Sequence, residues 1–585
     1  MPRTRTNILK KVETHLNCLY PEENCQQLAE TLLDAIGPVL ATDGQKAPQE
    51  VWGPEDILLI TYGDSIRRTR QKPLLTLEHF LNRYIGNTIN CVHILPFYPY
   101  TSDDGFAVVD YSQVNPELGK WSHIDSISKR YKLMADLVIN HVSSNSQWFK
   151  NFQYQVDPGK DYFISVPPET DLSMVVRPRQ SPLLRHTETR DGVKHVWCTF
   201  SHDQVDLNFQ NPQVLIDVVR TIGLYMDHGA QLIRLDAVAF LWKELGTPCI
   251  HLKQTHEAIK LMRTLSYYKD DELLLVSETN VPNHENITYF GNGDEAQIIY
   301  NFSLPPLMVH ALLTGQSQYL RDWMISMVPP PAGCTYLNFI ASHDGIGLRP
   351  AEGVLPAEEI EAVIHTIEQF GGLISYRTDS EGQKKPYEMN VSLYSALQGT
   401  VDGRDEHNLQ RFLCAHTVML GMEGLPAFYI HSLLGTQNDI EKLEATGHNR
   451  SINRHRWDYN DLIDKLDNAE THHHQLFLEL LRRINIRKKQ KAFHPNSLQF
   501  VLQLNDAFIG FWRQSHDRCV NIYVVANLTK QPQSLSLNEL NLDDTQCWWD
   551  LLTDHKIMDV FSDMVLSPYQ CIWLTNRKHS ELDES

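Results

Sequence analysis

Polar residues sit where several short apolar runs of this chain end. One run carries Asp136 and finishes in Asn140-His141, and a second finishes in Arg234-Leu235-Asp236. A third ends in Glu278 and a fourth in His343-Asp344. Gathering several carboxylates in one buried place is costly unless a site uses them. Carboxylates flanked by an arginine and two histidines are the groups that acid–base and nucleophilic chemistry requires.

Something must bring those run ends together. From about residue 55, Ile/Val/Leu-rich runs alternate with longer helix-like stretches. The runs are 57–62, 91–96, 133–140, 231–236, 273–278, 296–300, 336–344 and 426–430. Near-continuous apolar strands imply burial on both faces, and helices between them imply a parallel sheet. Eight such units predict an α/β fold, a closed (β/α)8 TIM barrel, in which strand C-terminal ends form the active rim. Residues 51–142 and 211–494 are assigned to the barrel. The long gap after the third strand predicts an inserted subdomain over 143–210. A second gap, 370–405, reads as a mobile loop over the barrel mouth. Short strands after residue 495 predict a C-terminal antiparallel β domain over 495–585. Residues 1–50 read as an N-terminal helical extension: Ile8, Val12, Leu16 and Leu19, then Leu28, Leu32, Leu33 and Ile36, recur at helical spacing. The Gly44–Gly53 stretch breaks that pattern. Its amphipathic surface suits docking on its own barrel or on a partner, so a homodimer is compatible with it.

Composition bounds the partners. Hydrophobic residues make up 42% and charged residues 21%, an ordinary globular balance. No apolar run approaches the roughly 18 residues of a membrane helix, and the basic N-terminus lacks an apolar core for a signal peptide. The expectation is a cytoplasmic enzyme without membrane partners. The formal charge of −20 disfavours nucleic acid, and an anionic substrate would need a local cluster of cations. Ten scattered cysteines without a CxxC pair read as reduced thiols.

Four ordered motifs, Asp-Leu-Val-Ile-Asn-His (136–141), Arg-Leu-Asp-Ala-Val (234–238), Ser-Glu-Thr-Asn (277–280) and Ser-His-Asp (342–344), resemble those of the alpha-amylase superfamily. Residues 95–106, Arg-Pro-Arg (177–179), Gln-Val-Asp-Leu (204–207), Pro-Tyr-Glu-Met-Asn (386–390) and Ser-Ile-Asn-Arg-His (451–455) resemble its sucrose-phosphorylase subfamily. Residues 240–252 and 303–307 look most like glucosylglycerate phosphorylases. The resemblance runs from about residue 50 to the C-terminus.

It implies a retaining glycoside phosphorylase acting by double displacement. Asp236 would be the nucleophile, Glu278 the acid and base, and Asp344 the stabiliser of an oxocarbenium-like transition state. Arg234, on the nucleophile's face of its strand, would orient Asp236. His141 and His343 would hold glucosyl hydroxyls, Asp103 and Arg454 would close the glucose pocket, and Phe200 and Gln204 would form its wall and floor. Arg179, with Tyr387, would bind inorganic phosphate, and Glu388 would contact substrate beside it. His284 is a further candidate near Glu278. Where sucrose enzymes carry Tyr-Gln this chain has Tyr387-Glu388, and Phe240 replaces a tyrosine; both departures point away from sucrose. Glycerate is the favoured acceptor, with sucrose, sucrose 6'-phosphate and glucosylglycerol open. A hydrolase or transglucosidase on the same barrel is the rival activity, and a non-catalytic scaffold the rival class.

Simpler readings cover other features. His472-His473-His474 is expected to be a solvated helix face, because no acidic or Cys partner is spaced for a closed metal site. Gly291-Asn292-Gly293 is a turn, and Trp548-Trp549 belongs to the C-terminal core. Asn140 helps bind calcium in many amylases; this branch implies no metal, and no cofactor is expected.

Overall fold

A computed structural model of the chain describes residues 4–40, 51–378 and 383–577. Eight parallel strands close a barrel in sequence order: β1 (Leu58–Thr61), β2 (Cys91–Ile94), β3 (Lys132–Val138), β4 (Ala230–Asp236), β5 (Leu274–Ser277), β6 (Ile298–Tyr300), β7 (Thr335–Asn338) and β8 (Leu425–Tyr429). All eight apolar runs supply a strand. β1, β2, β5, β6, β7 and β8 are buried along their whole length, which is why they read as unbroken apolar runs. β7 stops at Asn338, six residues before Asp344. Apolar Phe339-Ile340-Ala341 continue the sequence pattern and stay buried, but they lie outside the ladder.

The register sets the chemistry. Asp136 of β3 pairs with Arg234 of β4, and Val138 with Asp236. Across the other edge of β4, Arg234 pairs with Val276 and Leu235 with Ser277, so Glu278 follows β5 directly alongside Asp236.

The insertion after β3 contains a helix, Gln147–Tyr154, and an antiparallel hairpin of Leu184–Thr189 with Gly192–Trp197. His141–Ser143 pairs with Gln204–Asp206 and ties the insertion to the barrel rim. The stretch expected as a loop is instead regular. Leu373–Thr378, Lys384–Asn390 and Ile346–Gly347 form a three-stranded antiparallel sheet; residues 379–382 lie outside the described residues. Gly345 (φ +96°) makes this possible: a Cβ there would lie 2.7 Å from the Met389 carbonyl oxygen.

At the C-terminus lie a six-stranded sheet and a separate short pair, Gln533–Ser536 with Asp563–Leu566, and the strand Asn521–Asn527 is buried on both faces, successive residues alternating between two cores. Tyr523 and Val525 face a local core with Trp548, whereas Ile522, Val524 and Ala526 face the main core.

Two N-terminal helices, α1 (Arg5–Leu19) and α2 (Cys25–Ile36), lay their apolar stripes on the barrel's own helices α3 (Pro212–Asp227) and α4 (Lys253–Lys269). The docking partner is therefore this chain. Most of the Gly44–Gly53 break lies outside the described residues. Buried Lys269 donates from Nζ to the carbonyls of Ile36 (2.9 Å) and Gly223 (3.0 Å) and pairs with Asp227 (2.7 Å), satisfying the C-terminus of α2. The helices approach so closely that a Cβ on Gly223 would lie 2.3 Å from the Ile36 carbonyl oxygen. Gly223→Ala should therefore cost about 1–3 kcal/mol through overpacking. The urea midpoint should fall, and the 20–40 segment should become more sensitive to protease. An unchanged midpoint would show that α2 is not held at this crossing.

Candidate active site

One cavity of ≈690 Å³, counting its open mouth, occupies the C-terminal face of the barrel. It is within the usual range for small-ligand sites. Asp236, Glu278 and Asp344 all line it, with Asp103, His141, Phe200, Gln204, Arg234, Arg179 and Tyr387. His343, Arg454 and Glu388 stand behind the lining rather than in it.

Arg234 ties the carboxylates together. Its guanidinium is 2% exposed. Nη1 donates to Asp236 at 2.8 Å and also to Asp136, and Nη2 lies 3.8 Å from Glu278. His93 holds the other oxygen of Asp136 at 2.6 Å. Against burial, which would raise it, Arg234 and His93 keep the Asp136 carboxyl down at about 2. Glu278 Oε2 accepts the backbone N–H of Ala237 at 2.9 Å. Ala237 has φ +50°, a left-handed conformation that costs a non-glycine residue free energy. The strain turns that N–H toward the acid.

Burial pushes the Asp236 and Glu278 carboxyls up, and Arg234 opposes the shift at both. Glu278 further raises Asp236, and Asp344 further raises both. The two titrate as a pair. Arg234 bonds Asp236 directly and only stands near Glu278, so a proton shared by the pair belongs on Glu278.

Asp344 behaves oppositely. Burial would raise it, but Arg450, His343 and Arg454 hold it well below the usual carboxylate range. Arg450 Nη1 meets Asp344 at 2.6 Å, while its Nε and Nη2 grip both oxygens of Glu388 at 3.0 and 2.7 Å. Glu388 thus orients Arg450 and does not enter the cavity. Arg454 donates to the His343 carbonyl (2.8 Å), Asp103 (3.3 Å) and Asp104 (3.0 Å). His343 stacks on Phe106 at 5.1 Å, and burial lowers its pKa to about 3.

Neutral His141, lowered by burial, donates from Nε2 to the Phe106 carbonyl at 2.9 Å. Gln204 donates to the same carbonyl at 3.2 Å. Phe200 packs between His141 (5.2 Å) and Phe240 (5.6 Å). The Arg179 guanidinium lies 5.3 Å from the Tyr387 ring centre and 6.0 Å from that of Phe200, and among the described residues no carboxylate pairs with it. His284 does not join the site: its side chain is 79% exposed, beside Glu285.

Sequence reasoning missed Arg450, Arg349 and Asn280, which also line the cavity. Arg450 directly precedes the Ser451–His455 motif, and a half-buried carboxylate at 344 required a cation from somewhere. The three consecutive histidines are not a solvated face. His472, His473 and His474 each bond a backbone carbonyl (Gly435, Leu434 and Leu466), and His473 is buried.

Asn140 is engaged by an ammonium group. Buried Lys243 donates from Nζ to Asn140 Oδ1 (2.6 Å) and pairs with Asp206 Oδ2 (2.7 Å), joining the insertion to β3.

Residues 83–327 match the alpha amylase catalytic domain. The chain is 42% identical over 535 residues to a glucosylglycerate phosphorylase of Spirochaeta thermophila, covering 89% of this chain and 90% of that one. It is 40% identical over 575 residues to a glucosylglycerate phosphorylase of Allomeiothermus silvanus, covering 98% and 99%. That match takes in most of residues 1–50, beyond the onset set by the motifs. The crystal structure of sucrose 6F-phosphate phosphorylase from Thermoanaerobacter thermosaccharolyticum superimposes with a TM-score of 0.71 at 23% identity, over 83% of this chain and 96% of that one; it shares the fold. The chain belongs to the alpha-amylase family, in the branch that holds the sucrose and glucosylglycerate phosphorylases. It is an enzyme of the glycosyltransferase type, a glycoside phosphorylase.

Lys243→Met should leave Asp206 buried without its counter-charge and cost about 3–5 kcal/mol. Urea denaturation should show the lower midpoint, and Asp206→Asn in the same chain should restore part of it. A neutral Lys243→Met would remove the ammonium from this structural role.

Proposed function

We propose that the protein phosphorolyses an α-glucoside of glycerate reversibly, giving α-D-glucose 1-phosphate and glycerate. The observation that carries the reading is an arginine with no carboxylate partner among the described residues, Arg179, on the wall of a cavity that also holds the Asp236, Glu278 and Asp344 carboxylates. A hydrolase has no need of a free cation there. The relatives named above support glycerate as the acceptor. Sugar and inorganic phosphate are the substrates, and the step needs no cofactor.

The cycle is a double displacement. Asp236, ionised and oriented by Arg234, attacks the anomeric carbon. The bond to the acceptor oxygen breaks, and Glu278 supplies the proton that leaves with glycerate. A β-glucosyl ester on Asp236 remains. Phosphate then enters on the vacated face, held by Arg179 and the Tyr387 hydroxyl. Its oxygen attacks the same carbon, freeing Asp236, and Glu278 takes up the phosphate proton. Two inversions retain the α configuration. Asp344, kept ionised by Arg450, faces the positive charge that develops on the ring. Asp103 and His141 are the groups nearest the glucosyl hydroxyls, with His343 and Arg454 supporting them from behind.

A panel of glucosylglycerate, glucosylglycerol, sucrose and sucrose 6'-phosphate incubated with phosphate tests the assignment. Glucose 1-phosphate should appear fastest from glucosylglycerate, in the α form by NMR. In Arg179→Ala, phosphorolysis should fall about 100-fold or more while hydrolysis of the same glucoside falls far less. Equal losses would remove the phosphate role.

The raised Asp236–Glu278 pair gives a signed pH dependence. Leaving-group protonation needs the pair's single proton, which is present below the pair's upper pKa and lost as pH rises through it. The kcat/KM profile for glucosylglycerate should therefore carry a basic limb above the ordinary glutamate range. Glu278→Gln should slow glucosylglycerate turnover by about 10²–10⁴-fold and erase that limb. Glucosyl fluoride, whose leaving group needs no general acid, should remain a donor. A basic limb unchanged in Glu278→Gln would place the proton elsewhere.

A further inference from the structure

The segment that begins at the acid Glu278 carries the groups nearest a leaving acceptor. Thr279, Asn280 and Val281 line the cavity directly after Glu278, and Arg349 lines it with them. Arg349 reaches this side because the Ile346–Gly347 strand runs against Asn280: a Cβ on Gly347 would lie 3.0 Å from the Asn280 amide. The Arg349 side chain is 15% exposed, and Nη2 stands 3.6 Å from Glu285 Oε2, beyond hydrogen-bond range. Glu285 therefore steers the guanidinium without consuming its donors. Asn280 Oδ1 is buried and has no hydrogen-bond partner among the described residues.

Glu285 is itself steered by His251. His251 Nε2 lies 3.1 Å from the same Glu285 oxygen, and His251 Nδ1 lies 2.7 Å from the Tyr289 hydroxyl. Burial lowers the His251 pKa, so the neutral ring donates to Glu285 and accepts from Tyr289. Cys249 and His251 both have positive φ (+52° and +56°), and the His251 N–H is fixed on the Ala239 carbonyl at 3.0 Å. Two strained residues in one short turn hold that imidazole in place.

We propose that Arg349 binds the carboxylate of a small hydroxy-acid acceptor, with Asn280 Oδ1 accepting one of its hydroxyls and Glu285 and His251 acting as positioning residues. The proposal rests on the phosphorylase reading above and deepens it, since it assigns the discrimination between an anionic acceptor and its neutral analogue to one guanidinium. A planar fork suits a carboxylate bidentately. A site built around a charge also rejects the analogue that leaves the charge unpaired.

The test runs the reaction toward synthesis, with glucose 1-phosphate as donor and D-glycerate or glycerol as acceptor, reading released phosphate. The wild type should prefer glycerate. In Arg349→Gln the glycerate-to-glycerol ratio of kcat/KM should fall about 30-fold or more. Glu285→Gln should shift the ratio the same way by less. Should Arg349→Gln fail to fold, Arg349→Lys, which keeps the charge and loses the fork, should give an intermediate ratio carried mainly by KM for glycerate. An unchanged ratio in a folded Arg349 variant of a glycerate-preferring enzyme overturns this inference alone. So does a rise in KM for phosphate in place of glycerate, which reassigns Arg349 to phosphate. A wild type with no preference for glycerate overturns the inference together with the choice of acceptor.

Discussion

Everything at the barrel rim depends on one buried guanidinium. Arg234 is enclosed by protein, yet it bonds the carboxylates of Asp136 and Asp236 and stands 3.8 Å from that of Glu278, groups contributed by three neighbouring strands or their ends. Without it, Asp136, Asp236 and Glu278 would be three acids in a low-dielectric wall. Removing a buried charge's partner typically costs several kcal/mol, so the uncompensated cluster would protonate or open. The parallel register fixes the arrangement. With β3, β4 and β5 side by side, Asp136 and Arg234 face each other across one ladder, and Asp236 and Glu278 come level across the next. The barrel serves here as a device for setting acids and a base at fixed spacing.

A second guanidinium repeats the solution on the other side. Arg450 joins Asp344, from the loop after β7, to Glu388 of the antiparallel sheet. Arg454, four residues later, reaches Asp103 and Asp104 from the β2 loop. Loops from three separate βα units are thereby cross-linked by charge. Because Arg450 spends its other donors on Glu388, the acid at 388 is a structural partner.

The elements that a sequence states most clearly are those whose burial is complete. Six of the eight barrel strands were legible for that reason, and β3 and β4, each open to solvent at a single residue, read almost as clearly. The strand ending at Asp344 was read too long, since Phe339-Ile340-Ala341 are apolar and buried without being in the ladder. The hairpin carrying Tyr387 reads as a loop in the sequence, because Gly371-Gly372 and the polar run up to Lys384-Lys385 look like breakers and only the strand's inner end is buried. In the C-terminal sheet, strands such as Trp548–Asp550 are three residues long, too short for an alternation to register. Among site residues, the acids were found through their positions at run ends, whereas Arg450, Arg349 and Lys243 arrive from segments with no periodic signal. Their necessity could be argued from charge balance alone, and their identity only from the folded chain. Two N-terminal helices were visible from spacing, but their seat on α3 and α4 depends on Gly223 and on Lys269, neither of which marks itself in sequence.

The overall charge of −20 and the handling of anions are reconciled by distance. At physiological ionic strength, fields decay over about 8 Å, so a surface dominated by acids says little about a cavity lined by Arg234, Arg450, Arg179 and Arg349. These four cations are not equivalent. Arg234 and Arg450 are committed to the protein's own carboxylates at hydrogen-bond distance, while Arg179 rests on aromatic rings and Arg349 stands off from Glu285. The first pair stabilises the fold of the site, and the second pair is left to meet charge from outside. In the double displacement proposed above the acceptor departs before phosphate enters, so the two anions would never be held at once. On that proposal, one region with two guanidinium groups that no carboxylate of the described residues holds at hydrogen-bond distance would serve both, each anion drawing on the cation whose geometry suits it.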